Sequence, residues 1–200
     1  MSGQAGSDPA PRAPYGSEEN PLAHPGTGER IVFRRRARDT AGELLEVTLY
    51  SSPTGFVPSP HLHPSQEERL EISGAPMWVR IGDEEREYQP GEVAVVPPGV
   101  LHVVWNATDQ HVTALMQFRP ALTTETMFET FFGLAKDGKV GKNDLRDKLH
   151  LLALARTYRR EMQLPPDQQR VVGPLATIVA PIAGLFGFRG RYDEYSGPLD

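Results

Sequence analysis

The sequence predicts a mainly β fold, a sandwich or barrel, followed by a helical extension. Three observations carry this. About nine short β-rich segments lie between residues 31 and 118, with turn residues at almost every gap. No long helical pattern interrupts them before Pro120, which excludes a parallel βαβ arrangement. Proline and glycine each number 19 of 200 residues, and proline at roughly twice its average usage of about 5% marks many turns.

Residues 1–29 hold five prolines and few large apolar side chains, so they are expected to form a disordered tail in which His24 is solvated. Residues 30–120 then read as the β domain. Its segments are Ile31–Arg38, Leu44–Tyr50, the extended and proline-punctuated Phe56–His63, Leu70–Ser73, Met77–Ile81, Glu85–Tyr88, Glu92–Val96, His102–Asn106 and His111–Phe118. Gly82-Asp83 is a hairpin signal between two of them.

Residues 121–188 read as helical. Thr123–Ala135 spaces Met127, Phe128, Phe131, Phe132 and Leu134 at three and four. Asn143 is the expected N-cap of a second helix to about Met162, which carries His150 as a surface or boundary residue. Val171–Phe188 is 18 residues without a charge, with Val171, Leu175, Ile178, Ile182 and Leu185 in one stripe and small residues behind. Its length barely reaches a membrane span, and its prolines, glycines and stripe favour packing on protein or on a twin helix. Residues 189–200 are a polar tail.

The net charge of −5 argues against an electrostatic grip on nucleic acid. The absence of cysteine excludes disulfides, thiolate metal sites, Fe–S clusters and cysteine nucleophiles, so any metal must be held by nitrogen and oxygen. The first 29 residues contain no apolar signal-peptide core, which makes the cytoplasm the expected compartment.

Six histidines supply the candidate nitrogen ligands. His61 and His63 are two apart and share one face of a strand. Glu67 has their parity; Glu68 points away in a regular strand, and a bulge would reverse that. Further along, Pro97-Pro98-Gly99 forms a stiff turn leading into His102, which joins the site if the two segments pack side by side. Gln66, Arg69, Trp78, Arg80 and Trp105 lie near these segments without an assigned role, and His111 is taken as structural or exposed.

The two segments resemble the paired motifs of the cupin superfamily. Gly55, His61, His63, Glu67 and Gly74 fit G-x5-H-x-H-x3-E-x6-G, and Gly91, Pro97, Gly99, His102 and Asn106 fit G-x5-P-x-G-x2-H-x3-N. The resemblance covers about residues 31–120 and a single motif pair, as in a monocupin. It implies an antiparallel jelly-roll barrel whose metal ligands are His61, His63, Glu67 and His102. Three imidazoles and a carboxylate suit a divalent Fe, Mn, Ni, Cu or Zn ion, with Fe or Mn favoured by the dioxygenase-type chemistry the resemblance suggests.

The expected function is therefore a metal-dependent enzyme acting on a small organic molecule. A non-redox isomerase, cyclase, lyase or decarboxylase shares these ligands, and a non-catalytic metal- or small-molecule-binding barrel is the rival from another class. A barrel attached to a membrane through 171–188 is a third reading. The resemblance implies a homodimer, and the apolar stripe suits either closing one mouth of the barrel or making that dimer.

Overall fold

The computed structural model describes residues 13–53 and 55–196. Among the described residues, nine strands form two antiparallel sheets: β1 (Leu22–Ala23), β2 (Arg30–Arg35), β3 (Leu45–Ser51), β4 (Glu67–Ser73), β5 (Met77–Ile81), β6 (Glu84–Tyr88), β7 (Val93–Val96), β8 (His102–Trp105) and β9 (Val112–Arg119). One sheet has the order β1-β2-β3-β9-β4-β7, the other β6-β5-β8. This is the jelly-roll barrel, and helices α1 (Thr124–Lys136), α2 (Leu145–Thr157), α3 (Pro166–Gly184) and α4 (Asp193–Ser196) follow it.

Alternation sets the inner face. In β4, Glu68, Leu70 and Ile72 are buried while Glu71 and Ser73 are exposed. The neighbouring β9 places Phe118 opposite both Glu68 and Leu45, and Ala114 opposite both Ile72 and Leu49. Leu45, Leu49, Leu70, Ile72, Ala114 and Phe118, with Val96 of β7 and Val79 and Met77 of β5, belong to one apolar core. Period-two burial of this kind fixes register, because a one-residue slip would send every apolar side chain outward.

The reading of residues 1–29 as a disordered tail is corrected where the chain is described; residues 1–12 lie outside the described residues. Residues 13–29 pack on the barrel: β1 pairs with β2, and Leu22 is fully buried. His24 is not simply solvated. Its Nδ1 accepts the N–H groups of Gly26 and Thr27, and its ring lies 5.6 Å from that of Phe131. The tail lacked an apolar pattern because it contributes single anchors to surfaces built elsewhere. Residues 197–200 of the polar C-terminal tail also lie outside the described residues, while Asp193–Ser196 form α4 within it.

The helices form a second core around Met127, Leu134, Leu154 and Tyr158. The cap of α2 is Asp144 and not Asn143: the Asp144 carboxylate accepts the Asp147 N–H at 2.8 Å, and Asn143 sits in the left-handed region at φ 55. His150 is buried, with Nδ1 3.1 Å from the Tyr192 hydroxyl and its ring 4.8 Å from Phe188.

Helix α3 begins at Pro166, five residues before its uncharged stretch, since proline suits the first helical position. Pro181 offers no N–H to the Thr177 carbonyl one turn back. Arg156 of α2 donates to that carbonyl at 2.7 Å instead. Ala176, Ala180 and Ala183 are the buried residues of α3, which lies along α2. Among the described residues, no helix is long and apolar enough to cross a membrane.

Candidate metal centre

The two motif segments meet through the backbone. His61 and His102 exchange two N–H···O bonds, at 3.0 and 2.8 Å. The Gly99 N–H donates to the His63 carbonyl at 2.8 Å, closing the proline-rich turn onto the first segment. Gly99 has φ 77, a conformation that side chains resist, so the turn that aims His102 depends on this glycine.

His61, His63, Glu68 and His102 form one cluster whose ligand atoms all lie within 4.8 Å of one another. Three expected ligands are therefore together, and the expectation for Glu67 is corrected to Glu68. The chain bends at Pro64-Ser65, which breaks the parity carried forward from His61 and His63. Strand β4 then sets its own alternation, and Glu68 shares the inward side with Leu70 and Ile72 while Glu67 does not. The signal was present as Glu68-x-Leu70-x-Ile72.

Each imidazole is held by its Nδ1. His61 Nδ1 faces the Ser59 carbonyl at 3.1 Å, His63 Nδ1 the Glu161 carbonyl at 2.6 Å, and His102 Nδ1 the Val100 carbonyl at 3.2 Å. A carbonyl oxygen only accepts, so each Nδ1 carries the hydrogen and each neutral ring has a bare Nε2. His63 Nε2 is 3.0 Å and His102 Nε2 is 2.8 Å from the same oxygen of Glu68. His102 Nε2 is nevertheless buried without an aligned hydrogen-bond partner. Lone pairs thus converge on lone pairs inside the barrel, an arrangement that a proton or a cation must satisfy.

The donor set fits a divalent ion. Ligand atoms about 2.1 Å from a common ion at right angles lie about 3 Å apart, which the Glu68 oxygen matches at 3.0 Å from His63 Nε2 and 2.8 Å from His102 Nε2. Backbone support of the second ring nitrogen is also the usual way a ligating histidine is oriented. No sulfur competes, so the set is one of nitrogen and oxygen.

Burial, together with repulsion from His102 and His63, pushes the His61 pKa down to about 4. Burial also opposes the charged form of His102, but the adjacent Glu68 carboxylate outweighs it and the pKa is raised. For Glu68, burial favours the acid form, while bonding and charge from His102 and His63 win and hold it well below the usual carboxylate range. Without a cation, these contacts favour the ionised form of Glu68 and the protonated form of His102.

Phe118 lies edge-on to His63 at 5.4 Å and contacts Phe128 of α1 at 5.7 Å, an aromatic wall on one side of the cluster. His61 is the one member not fully buried. Of the residues left unassigned, Gln66 is fully buried and bonds Pro120, Ala121 and Thr124, tying β4 to the start of α1. Trp78 and Trp105 stack on each other at 6.0 Å, in the register that alternates with Ile81 and His102 and therefore on the face opposite to the cluster. Arg80 shares that face by the same register, Arg69 alternates with Glu68 and Leu70, and His111 is exposed.

Residues 49–118 match the family model described as a cupin domain. No curated protein matches the chain. Among solved structures, a predicted oxalate decarboxylase from Thermotoga maritima is 14% identical, with 46% of this chain and 80% of that one covered at a TM-score of 0.44. KdgF from Halomonas sp. is 19% identical, with 46% and 81% covered at 0.41. A sugar phosphate isomerase of the cupin superfamily from Silicibacter pomeroyi is 20% identical, with 46% and 59% covered at 0.41.

Proposed function

We propose that the chain is a metal-dependent cupin enzyme acting on a small organic molecule, with dioxygenase-type chemistry as the first reading. The observation that carries it is the convergence of three bare Nε2 atoms and the Glu68 carboxylate in the barrel. Such a donor set suits Fe or Mn and equally accepts Ni, Cu or Zn. When bound, the ion supplies Lewis acidity to a substrate oxygen and, if redox-active, a route for electrons to dioxygen.

The protein's own share follows from its residues. Glu68 offsets one positive charge, and the three histidines leave a second to be balanced by substrate or solvent. The Phe118 and Phe128 rings keep water from one side, while the partly exposed His61 marks the side open to a ligand. The Ser59, Val100 and Glu161 carbonyls fix the rings, so donor geometry does not reorganise when a substrate arrives.

Anaerobic loading of the purified full chain with Fe(II), Mn(II) or Zn(II), followed by metal analysis, tests the site. Stoichiometric metal in the wild type, lost in His63→Ala and Glu68→Ala, is expected. Failure of every metal to bind would remove the enzyme reading. Oxygen uptake with enols, thiols and diketones then separates dioxygenase chemistry from a non-redox reaction on the same ligands.

A further inference from the structure

Helix α3 turns the wrong face outward for a helix that merely covers the barrel. Its alanine face is buried, whereas Val171 (61% exposed), Leu175 (46%), Ile178 (66%) and Ile182 (58%) face solvent, as do Leu185 (83%) and Phe186 (76%) just past its end. The first five recur at spacings of four, three, four and three, the seam of a two-helix coiled coil. Six such side chains present on the order of 500 Å² of apolar surface, at the upper end of what single-chain proteins expose.

The geometry points to a second copy of this chain as the occupant, bound through an antiparallel α3–α3 pair centred on Ile178. Ile178 is the midpoint of the stripe, so antiparallel alignment sets Val171 of each copy beside Leu185 of the other. The same alignment brings Asp167 of one copy, with Arg170 beside it, to the end where Arg189 of the other follows the helix, so each end of the pair has one carboxylate for its guanidinium groups. A parallel pair would stack Asp167 on Asp167 and Arg189 on Arg189. Facing two stripes buries roughly 1,000 Å², the size at which a specific interface begins, and the flanking charges add a polar rim. The stripe itself is free of basic residues from Val171 to Phe188, which leaves little to hold an anionic lipid surface. This inference rests on α3 alone and is independent of the metal reading.

The chain has no cysteine, which allows a direct test. Full-length Ile178→Cys is expected to form a disulfide-linked dimer on mild oxidation. Val171→Cys is expected to crosslink at least ten-fold less, because antiparallel alignment holds its two copies about 20 Å apart at 1.5 Å per residue. Light scattering should give the mass of two chains for wild type and of one chain for Ile178→Glu or Ile178→Lys alone. An equimolar mixture of the Glu and Lys variants should recover the dimer, since only a central Ile178–Ile178 contact pairs them. A wild type that stays monomeric at about 100 μM would overturn the proposal. Equal crosslinking at Val171 would do so too, as would a monomer that binds phosphatidylcholine vesicles through this face. Ile178 is exposed, so unchanged circular dichroism separates loss of the dimer from loss of the fold.

Discussion

His63 Nδ1 lies 2.6 Å from the carbonyl oxygen of Glu161, 98 residues further along the chain. The barrel supplies the imidazole, and the segment between α2 and α3 fixes its orientation and tautomer. Two further contacts hold that segment in place. Leu62 and Gln163 exchange backbone bonds at 2.9 Å each, and the Glu161 carboxylate accepts the Thr123 hydroxyl at 2.6 Å and its N–H at 3.3 Å.

Glu161→Ala should therefore loosen the site without touching a ligand. Loss of an outer partner of a ligating histidine typically weakens metal binding by about 10–100-fold; the alanine variant keeps the backbone carbonyl and loses only the carboxylate that ties its segment to Thr123, so a weakening of about tenfold or less is expected here. Glu161→Gln keeps the accepting oxygen and should recover most of the affinity. Competition with a chromophoric chelator measures both, and unaltered affinity in the alanine variant would refute the tether.

Glu67→Ala and Glu68→Ala should differ sharply. Glu67 pairs across to Arg119 on the outward side of β4, so its loss should change stability by less than about 0.5 kcal/mol and leave metal content intact. Glu68→Ala removes the only carboxylate of the cluster and should abolish stoichiometric metal. Metal analysis of the two purified variants decides between them, and the opposite pattern would restore Glu67 as the ligand.

Metal loading should release a proton. The pKa of His102 is raised above 6.5, so near neutral pH its imidazolium competes with the ion. Apparent affinity should climb about tenfold per pH unit up to the His102 pKa. Calorimetry in two buffers of different ionisation enthalpy counts the proton, and none released between about pH 6 and 7 would contradict the arrangement.

The metal-free fold should lose stability on acidification. His61 is depressed from 6.5 to about 4, so the unfolded chain takes its proton first as the pH falls through that window. Glu68 is depressed from 4.5, and its contribution is lost further down. His102 runs the other way, stabilising below 6.5 and ceasing to do so as the pH rises through its raised value. Thermal melts from pH 7 to 4 should show a progressive fall, reduced in His61→Phe.

Arg36 joins the barrel to α1 by pairing with Glu125 and, at 3.0 Å, with Glu129, while its other nitrogen donates to the Tyr15 carbonyl at 2.7 Å. Glu129 is 8% exposed at its side chain, and burial raises its pKa despite Arg36. Arg36→Ala strands that carboxylate and should cost about 3 kcal/mol, or roughly 6–12 °C in melting temperature. A loss below about 1 kcal/mol would show that Glu129 finds another partner.

Most strands and the first three helices were legible because period-two and helical spacing survive in the sequence. The candidate metal cluster was legible through His61, His63 and His102, since two of these lie two apart in an extended segment and the third follows a stiff turn. Glu68 was misread because parity was carried through the bend at Pro64-Ser65, although Leu70 and Ile72 held the correct phase. Glu161 was invisible, because a backbone carbonyl carries no side-chain signal and its partner lies far away in sequence. Packing of residues 13–29 was missed for a related reason: Leu22 and His24 dock singly onto surfaces assembled from α1 and β2.

The Glu161 carbonyl has a consequence for how the protein is made. All four donors have been synthesised by residue 102, yet the group that orients His63 arrives about sixty residues later. A nascent barrel on the ribosome, or a fragment trimmed to residues 49–118, holds every donor and lacks this brace. The brace therefore lies beyond the homologous segment, and a metal captured before α2 emerges would meet a looser cage than the finished protein provides.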